Sequence, residues 1–179
     1  MKETLLGPLG LFACTGISVS EQTYKIGDTG PAGGIVFYDK GFNKDGWRYL
    51  EAAPAGMEFK AKWGSEDKEV AGTEERVGSG KRNTQLIISA LGKNGEAAYL
   101  CANLNFNGYS DWFLPSKDEL DLIYNNLVRI GLGGFTSDYY WSSSQYVNYI
   151  AWVQMFRNGH QDSYLANSNT YSVRAVRAF

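Results

Sequence analysis

Few residues in this chain are equipped for catalysis. There is one histidine, His160, and two cysteines, Cys14 and Cys101. A structural zinc site takes four Cys or His ligands and a disulfide framework takes more cysteines, so neither is within reach. No Gly-x-Ser-x-Gly or HExxH pattern occurs, which removes the common signatures of serine hydrolases and zinc proteases. Asp111, Asp118, Glu119 and Asp121 form an acidic cluster, and calcium needs six or more oxygens. Most of these carboxylates surround Ser116, where they suit the start of a helix, so calcium lacks a clear motif. We expect no cofactor and no metal. A glycosidase would work through paired carboxylates, with Asp111 and Asp162 the ones to test. The expectation is a non-catalytic protein.

Binding chemistry is better represented. Two polar stretches, Tyr146 to Ile150 and Asn158 to Tyr171, are rich in Tyr, Asn and Ser. Tyrosine gives large, stiff, amphipathic contact area, and Ser and Asn give adaptable hydrogen bonds, as in antibody paratopes. The candidate ligand-contacting residues are Tyr146, Val147, Asn148, Tyr149, Ile150, Asn158, His160, Asp162, Ser163, Tyr164, Leu165, Asn167, Asn169 and Tyr171. Such a surface suits a protein or a glycan. Between the stretches runs Ala151 to Phe156, and if both stretches flank it in one sheet, alternate side chains converge on a common face. Trp141, Trp152 and Phe156, with Arg174 and Arg177 in the final run, are then the scaffold.

Positioning those residues requires a folded domain, and composition supplies one. The chain has 179 residues, 44% of them hydrophobic, with a formal charge of −2. One domain fits that length, and disorder does not fit that apolar content. Near-neutral charge argues against nucleic acid as partner, and no apolar run approaches a membrane span. Neither Lys nor Glu occurs after Glu119, so cations beyond it are arginines and acids are aspartates.

Residues 1–23 read as an address and linker, and 24–179 as the domain. Leu5 to Ala13 is apolar, and Leu11-Phe12-Ala13-Cys14 is similar to a bacterial lipobox, making Cys14 a candidate for lipidation and membrane attachment. Glu3 offsets Lys2, Pro8 interrupts the run and Phe12 replaces a small residue, so an ordinary apolar tail stays open. Export to the cell surface or outer membrane is the expectation.

Gly27 to Gly34 is turn chemistry feeding the β-branched and aromatic run Ile35 to Tyr38, a strand. A phosphate loop would feed a helix and carry Gly-Lys-Ser/Thr, which Gly80-Lys81-Arg82 also lacks. Trp47 to Ala53 is a second strand stopped by Pro54. Met57 to Arg82 reads as a long loop anchored by Phe59 and Trp63. Asn83-Thr84 caps a helix through Leu86, Ile87, Ala90 and Leu91. A shorter helix from Glu96 to Asn103 presents Ala97, Leu100, Cys101 and Leu104. Ser116 and Glu119 form a capping box for an amphipathic helix carrying Leu120, Ile123, Leu127 and Ile130. Tyr139 to Ser143, Ala151 to Phe156 and Tyr171 to Phe179 are strands. The order gives an α+β fold of two or three helices and an antiparallel sheet closed by the C-terminal strand.

The segments YKIGDTGPAGGIVFYDKG (Tyr24 to Gly41), GWRYLEAAP (Gly46 to Pro54), GYSDWFLPSKDEL (Gly108 to Leu120), YWSSS (Tyr140 to Ser144) and VRAVRAF (Val173 to Phe179) resemble the bacterial family named for the C-terminal domain of the Legionella collagen-like protein. The resemblance implies a C-type lectin-like fold, related to that of formylglycine-generating enzymes, on exported or surface-attached proteins. It also implies adhesion, because the name-giving protein binds sulfated polysaccharide. The tail further resembles the variable proteins of diversity-generating retroelements, in which randomised template adenines yield NNY codons. Such codons exclude Lys, Glu, Gln, Met and Trp, and in the two polar stretches only Gln161 lies outside the permitted set. Asn148, Asn158, Asn167 and Asn169 are compatible with unmutated positions. Tyr149, Ile150, His160, Asp162, Ser163, Leu165 and Thr170 are reachable from Asn by adenine changes. An ordinary polysaccharide-binding adhesin with polar loops stays open beside this, and the Lys/Glu gap between Glu119 and Trp141 has no such explanation.

Overall fold

The computed structural model describes residues 22–64 and 68–179. Cys14 and the apolar stretch before it lie outside the described residues. The fold is α+β, with three α-helices and eight strands in two sheets among the described residues. β1 (Ile35–Lys44) and β2 (Trp47–Ala52) pair as a hairpin, and β8 (Val176–Ala178) adds antiparallel to β2. The second sheet runs β3 (Phe59–Ala61), β7 (Tyr171–Val173), β4 (Tyr139–Val147), β5 (Ile150–Met155), β6 (Gln161–Leu165). Its β4 and β7 are parallel, whereas its other pairs are antiparallel.

The expected final strand therefore divides between two sheets, and Arg174-Ala175 is the crossover. Its two arginines are buried. Arg174 donates to Glu58 Oε2 at 2.6 Å from Nη2 and to the carbonyls of Ala53, Gly133 and Gly134. Arg177 donates to Glu51 Oε1 at 2.8 Å and forks onto both Asp111 oxygens at 2.8 and 3.0 Å. Sinking an unpaired guanidinium is prohibitive, and these carboxylates are what permit it. The glycine turn before β1 serves the same arrangement: Gly34 N–H donates to Glu51 Oε2 at 2.9 Å, and a Cβ on Gly34 would stand 2.4 Å from the Ala52 carbonyl oxygen.

Three helices cover the sheets. α1 (Gly80–Leu91) starts ahead of the expected cap. Asn83 and Thr84 instead lie inside it, buried: the Asn83 amide bonds the Glu74 backbone on both sides, and Thr84 Oγ1 accepts Leu114 N–H. The long loop expected from Met57 onward contains β3, which is too short for its alternation to show in sequence. α2 (Glu96–Ala102) buries Ala97, Ala98 and Cys101 but leaves Leu100 exposed. α3 (Lys117–Asn126) has the expected capping box, with Ser116 N–H donating to Glu119 Oε2 at 2.7 Å and Glu119 N–H to Ser116 Oγ at 3.3 Å. It gives way to a 3₁₀ turn over Val128–Ile130, which leaves Ile130 outside.

The core has two parts. Trp63, Ile87, Leu91, Trp141 and Val153 lie between α1, α2 and the larger sheet. Leu120 and Ile123 of α3, with Leu127 just past its end, pack against Phe37 and Leu50 of one sheet, Tyr140 of the other and Phe156 just past β5. Burying these side chains contributes about 1.5–3 kcal/mol each, and the second cluster locks the sheets together.

Candidate functional site

The larger sheet places most of the polar stretches. The second stretch includes β6, an edge strand paired throughout with β5, so Ile150 lies opposite Leu165, Trp152 opposite Ser163 and Gln154 opposite Gln161. Alternation puts these on one face, and Asp162 and Tyr164 with Ala151 and Val153 on the other.

On the first face Trp152 is half-buried between two neighbours. The Tyr146 ring meets it edge-on at 5.0 Å, and Lys117 Nζ lies 3.7 Å from its centroid while pairing with Glu75 at 2.7 Å. Gln154 is fully buried and donates to Asp121 Oδ1 at 2.8 Å. Gln161 donates to the Lys117 carbonyl at 3.2 Å. Trp152 and Gln154 thus anchor the sheet to α3. At the end of this face Tyr146, Val147, Tyr149 and Leu165 are 55%, 50%, 42% and 43% exposed. The turn joining β4 to β5 holds Asn148 and Tyr149, the latter at φ 48°. Ala166 N–H donates to the Tyr149 carbonyl at 2.8 Å, fixing this turn to the end of β6. Asn167 and Asn169 follow at once, and Asn169 Nδ2 donates to the Leu165 carbonyl at 3.3 Å.

The opposite face carries a tyrosine cluster. Tyr164 lies 5.2 Å from Tyr139, with hydroxyls 3.2 Å apart, and Tyr171 lies 5.1 Å from Tyr139 and 5.0 Å from Trp141. The hydrogen bond to Tyr139, with burial and the Asp162 charge, raises the Tyr164 phenol. Burial, then the charges of Tyr139, Asp138 and Asp162, raises Tyr171.

The structure thus gathers Tyr146, Val147, Asn148, Tyr149, Ile150, Leu165, Asn167 and Asn169 at one end of the sheet, with Ser163 beside Trp152. Asp162, Tyr164 and Tyr171 face the other way. Asn158 and His160 sit in the β5–β6 turn, where Met155 N–H donates to the His160 carbonyl at 2.8 Å. The length of β5, roughly 17–20 Å, separates them from Tyr149. Phe156 stacks on Tyr140 at 4.1 Å, well inside.

Lys117, Tyr139 and Gln161 belong to these surfaces, although the sequence reading did not select them. Only Gln161 left a signal: it is the exception to the codon pattern, and its amide is committed to α3.

Elsewhere, a cavity of about 400 Å³ is lined by Trp47, Leu50, Lys81, Arg82, Phe113 and Glu119, and one of about 420 Å³ by Lys40, Phe42, Lys44, Trp47 and Arg76. Burial pushes Glu119 up to about 7, against the backbone N–H groups of Ser116, Gly78 and Gly80 that pull it down. Burial also raises the Cys101 thiol far from nucleophilic range. Asp118 and Glu119 remain at the α3 start and Asp111 pairs with Arg177. Among the described residues no group of three His, Cys, Asp or Glu is placed to hold a metal.

With this geometry in hand, the comparison with known families is specific: residues 54–177 match the Lcl C-terminal domain. The chain belongs to that family. No curated protein matches it. The matched part of this Lcl C-terminal domain contains every candidate contact residue and begins after β1 and β2. Those two strands nonetheless form one sheet with β8.

Proposed function

We propose that this Lcl C-terminal domain is a non-catalytic ligand-binding domain with C-type lectin-like architecture, displayed outside the cell. Its ligand, a protein or a glycan, meets the end of β4, β5 and β6. The observation carrying this reading is the gathering of Tyr146, Val147, Tyr149 and Leu165, all exposed, over a half-buried Trp152. Exposed aromatic and apolar side chains on a rigid strand scaffold are the composition of a recognition surface. Family membership supports surface association, and lipidation of Cys14 is the attachment proposed. The buried Cys101 and the turn-borne His160, remote from the aromatic end, support binding without chemistry.

We also read the tail as diversified by a retroelement. Between Tyr146 and Tyr171 four residues lie outside the exchangeable codon set, and three of them, Trp152, Gln154 and Gln161, hold the sheet on α3, whereas the fourth, Met155, pairs with Tyr139. A near-copy of the gene's 3′ end differing only at adenines, beside a reverse transcriptase gene, is the expected finding; absence of both defeats this part. For the binding surface, Tyr146→Ala combined with Leu165→Ala should abolish ligand capture on protein and glycan arrays at unchanged thermal stability. Unaltered capture refutes the site. Polysaccharide turnover lost in Asp111→Ala or Asp162→Ala would refute the non-catalytic reading.

A second reading, a polysaccharide adhesin, is favoured by the grooves flanking Trp47, where Lys40, Lys44, Arg76, Lys81 and Arg82 surround one indole. It predicts that Lys44→Ala with Lys81→Ala, rather than the Tyr146 and Leu165 changes, removes glycan capture.

A further inference from the structure

The outer edge of β6 says more about the ligand, on the assumption that the binding surface proposed above is correct. Met155 N–H donates to the His160 carbonyl and Ala166 N–H to the Tyr149 carbonyl, each at 2.8 Å. Hydrogen-bonded and non-hydrogen-bonded pairs alternate along an antiparallel ladder. His160, Asp162, Tyr164 and Ala166 therefore aim their backbone groups at β5, and Gln161, Ser163 and Leu165 aim theirs outward. Of the outward groups, Ser163 N–H is taken by Asp162 Oδ1 at 2.8 Å and the Leu165 carbonyl by Asn169 Nδ2 at 3.3 Å. Gln161 N–H and carbonyl, the Ser163 carbonyl and Leu165 N–H have no partner among the described residues.

Proteins ordinarily blunt such an edge with lysine, proline or a bulge. Here the β5–β6 register is unbroken, and neither Lys nor Pro occurs anywhere after Glu119. Beside the edge, on the Trp152 face, stands exposed Leu165. On the tyrosine face stands Asp162, which forms no ion pair among the described residues.

We infer that β6 is a site of strand addition for an extended segment of a partner protein. That segment carries Lys or Arg toward Asp162 and Tyr164, and apolar residues at alternate positions toward Leu165. In-line N–H and C=O groups at the strand repeat are what an extended peptide offers and a glycan does not. Charge separates a foreign segment from a second copy of β6, which brings another Asp162 and no cation.

The test is selection of random peptides of about twelve residues, displayed on phage, against the intact protein. Retained peptides should alternate basic and apolar residues. Synthetic copies N-methylated at one set of alternate positions should lose at least about tenfold in affinity, and copies methylated at the other set should not. Leu165→Pro removes an unpartnered N–H that faces away from β5 and should weaken binding well beyond Leu165→Ala, which keeps that N–H. If that variant unfolds, the methylation parity decides alone. Strand addition is overturned if no peptide is retained, if methylation parity is without effect, or if the protein dimerises through this edge. Peptides that depend on Tyr146 but ignore methylation parity leave the binding surface standing and defeat the edge.

Discussion

Replacing Arg174 by Met tests whether the crossover between the sheets is held by charge. The guanidinium is fully buried, donates to Glu58 and three carbonyls, and lies 4.3 Å over the Phe135 ring. Met approximates its volume and removes every donor. Breaking a buried pair by deleting one partner costs about 3–5 kcal/mol. Glu58 softens the loss here, because it is 15% exposed and keeps the Tyr140 hydroxyl at 2.6 Å. The carbonyls of Ala53, Gly133 and Gly134 work the other way, since an acceptor left buried without its donor costs about 1–3 kcal/mol. We therefore expect about 3–5 kcal/mol, measured as a shift of the urea midpoint at constant slope. The unfolding temperature should fall by roughly 6–20 °C for a domain of this size. Adding Glu58→Gln should recover part of the loss, since the two sites share one interaction. A cost below about 1 kcal/mol for Arg174→Met would refute the reasoning and mean that packing alone fixes the crossover.

Two further tests concern pH and sterics. Asp111 is lowered because the Arg177 hydrogen bonds and charge outweigh the opposing effect of burial; its contribution is present above the unfolded value of 3.8 and is lost as pH falls through the lower folded value. Glu119 has the opposite sign: raised from 4.5 to about 7, it penalises folding progressively as pH climbs between those values. Urea midpoints at pH 5 and 8 should accordingly differ less in Glu119→Gln than in wild type, and Asp111→Asn should lose part of the steep decline near pH 3. Gly34→Ala drives a methyl to 2.4 Å from the Ala52 carbonyl oxygen and 2.8 Å from Glu51 Oε2, so unfolding should become easier by at least about 1–3 kcal/mol; an unchanged melting curve contradicts that close approach.

Much of this fold was legible in local signals. The capping box at Ser116, the glycine turn before Ile35 and the strand stopped by Pro54 each announce themselves within a few residues. β6 did not, because at an edge of the sheet Gln161 to Tyr164 are half-buried and mostly polar on both faces and Leu165 is exposed, leaving no apolar alternation to read. The C-terminal run read as one strand because its β-branched and aromatic residues mark extended backbone but not which sheet receives it, although the alternation of Tyr171, Val173 and Ala175 breaks at Val176, where β8 begins in the other sheet. Asn83 looked like a cap because Asn favours helix starts, and only tertiary structure reveals that it clamps Glu74. The candidate contact residues were identifiable by type, whereas their division between two faces and two ends of the sheet followed from a register that only long-range pairing sets. Lys117 was invisible as a neighbour of Trp152 because nothing local links residues so far apart in sequence.

The β8 strand redraws the boundary of the unit that folds. The family match starts at residue 54, yet the carboxylate that meets Arg177 Nη1 is Glu51, in β2, before that point. A chain trimmed to the matched region would strip β8 of its neighbour and leave the guanidinium with Asp111 alone. The minimal expressible domain is thus set by where charge closes, and it must reach back to the glycine turn.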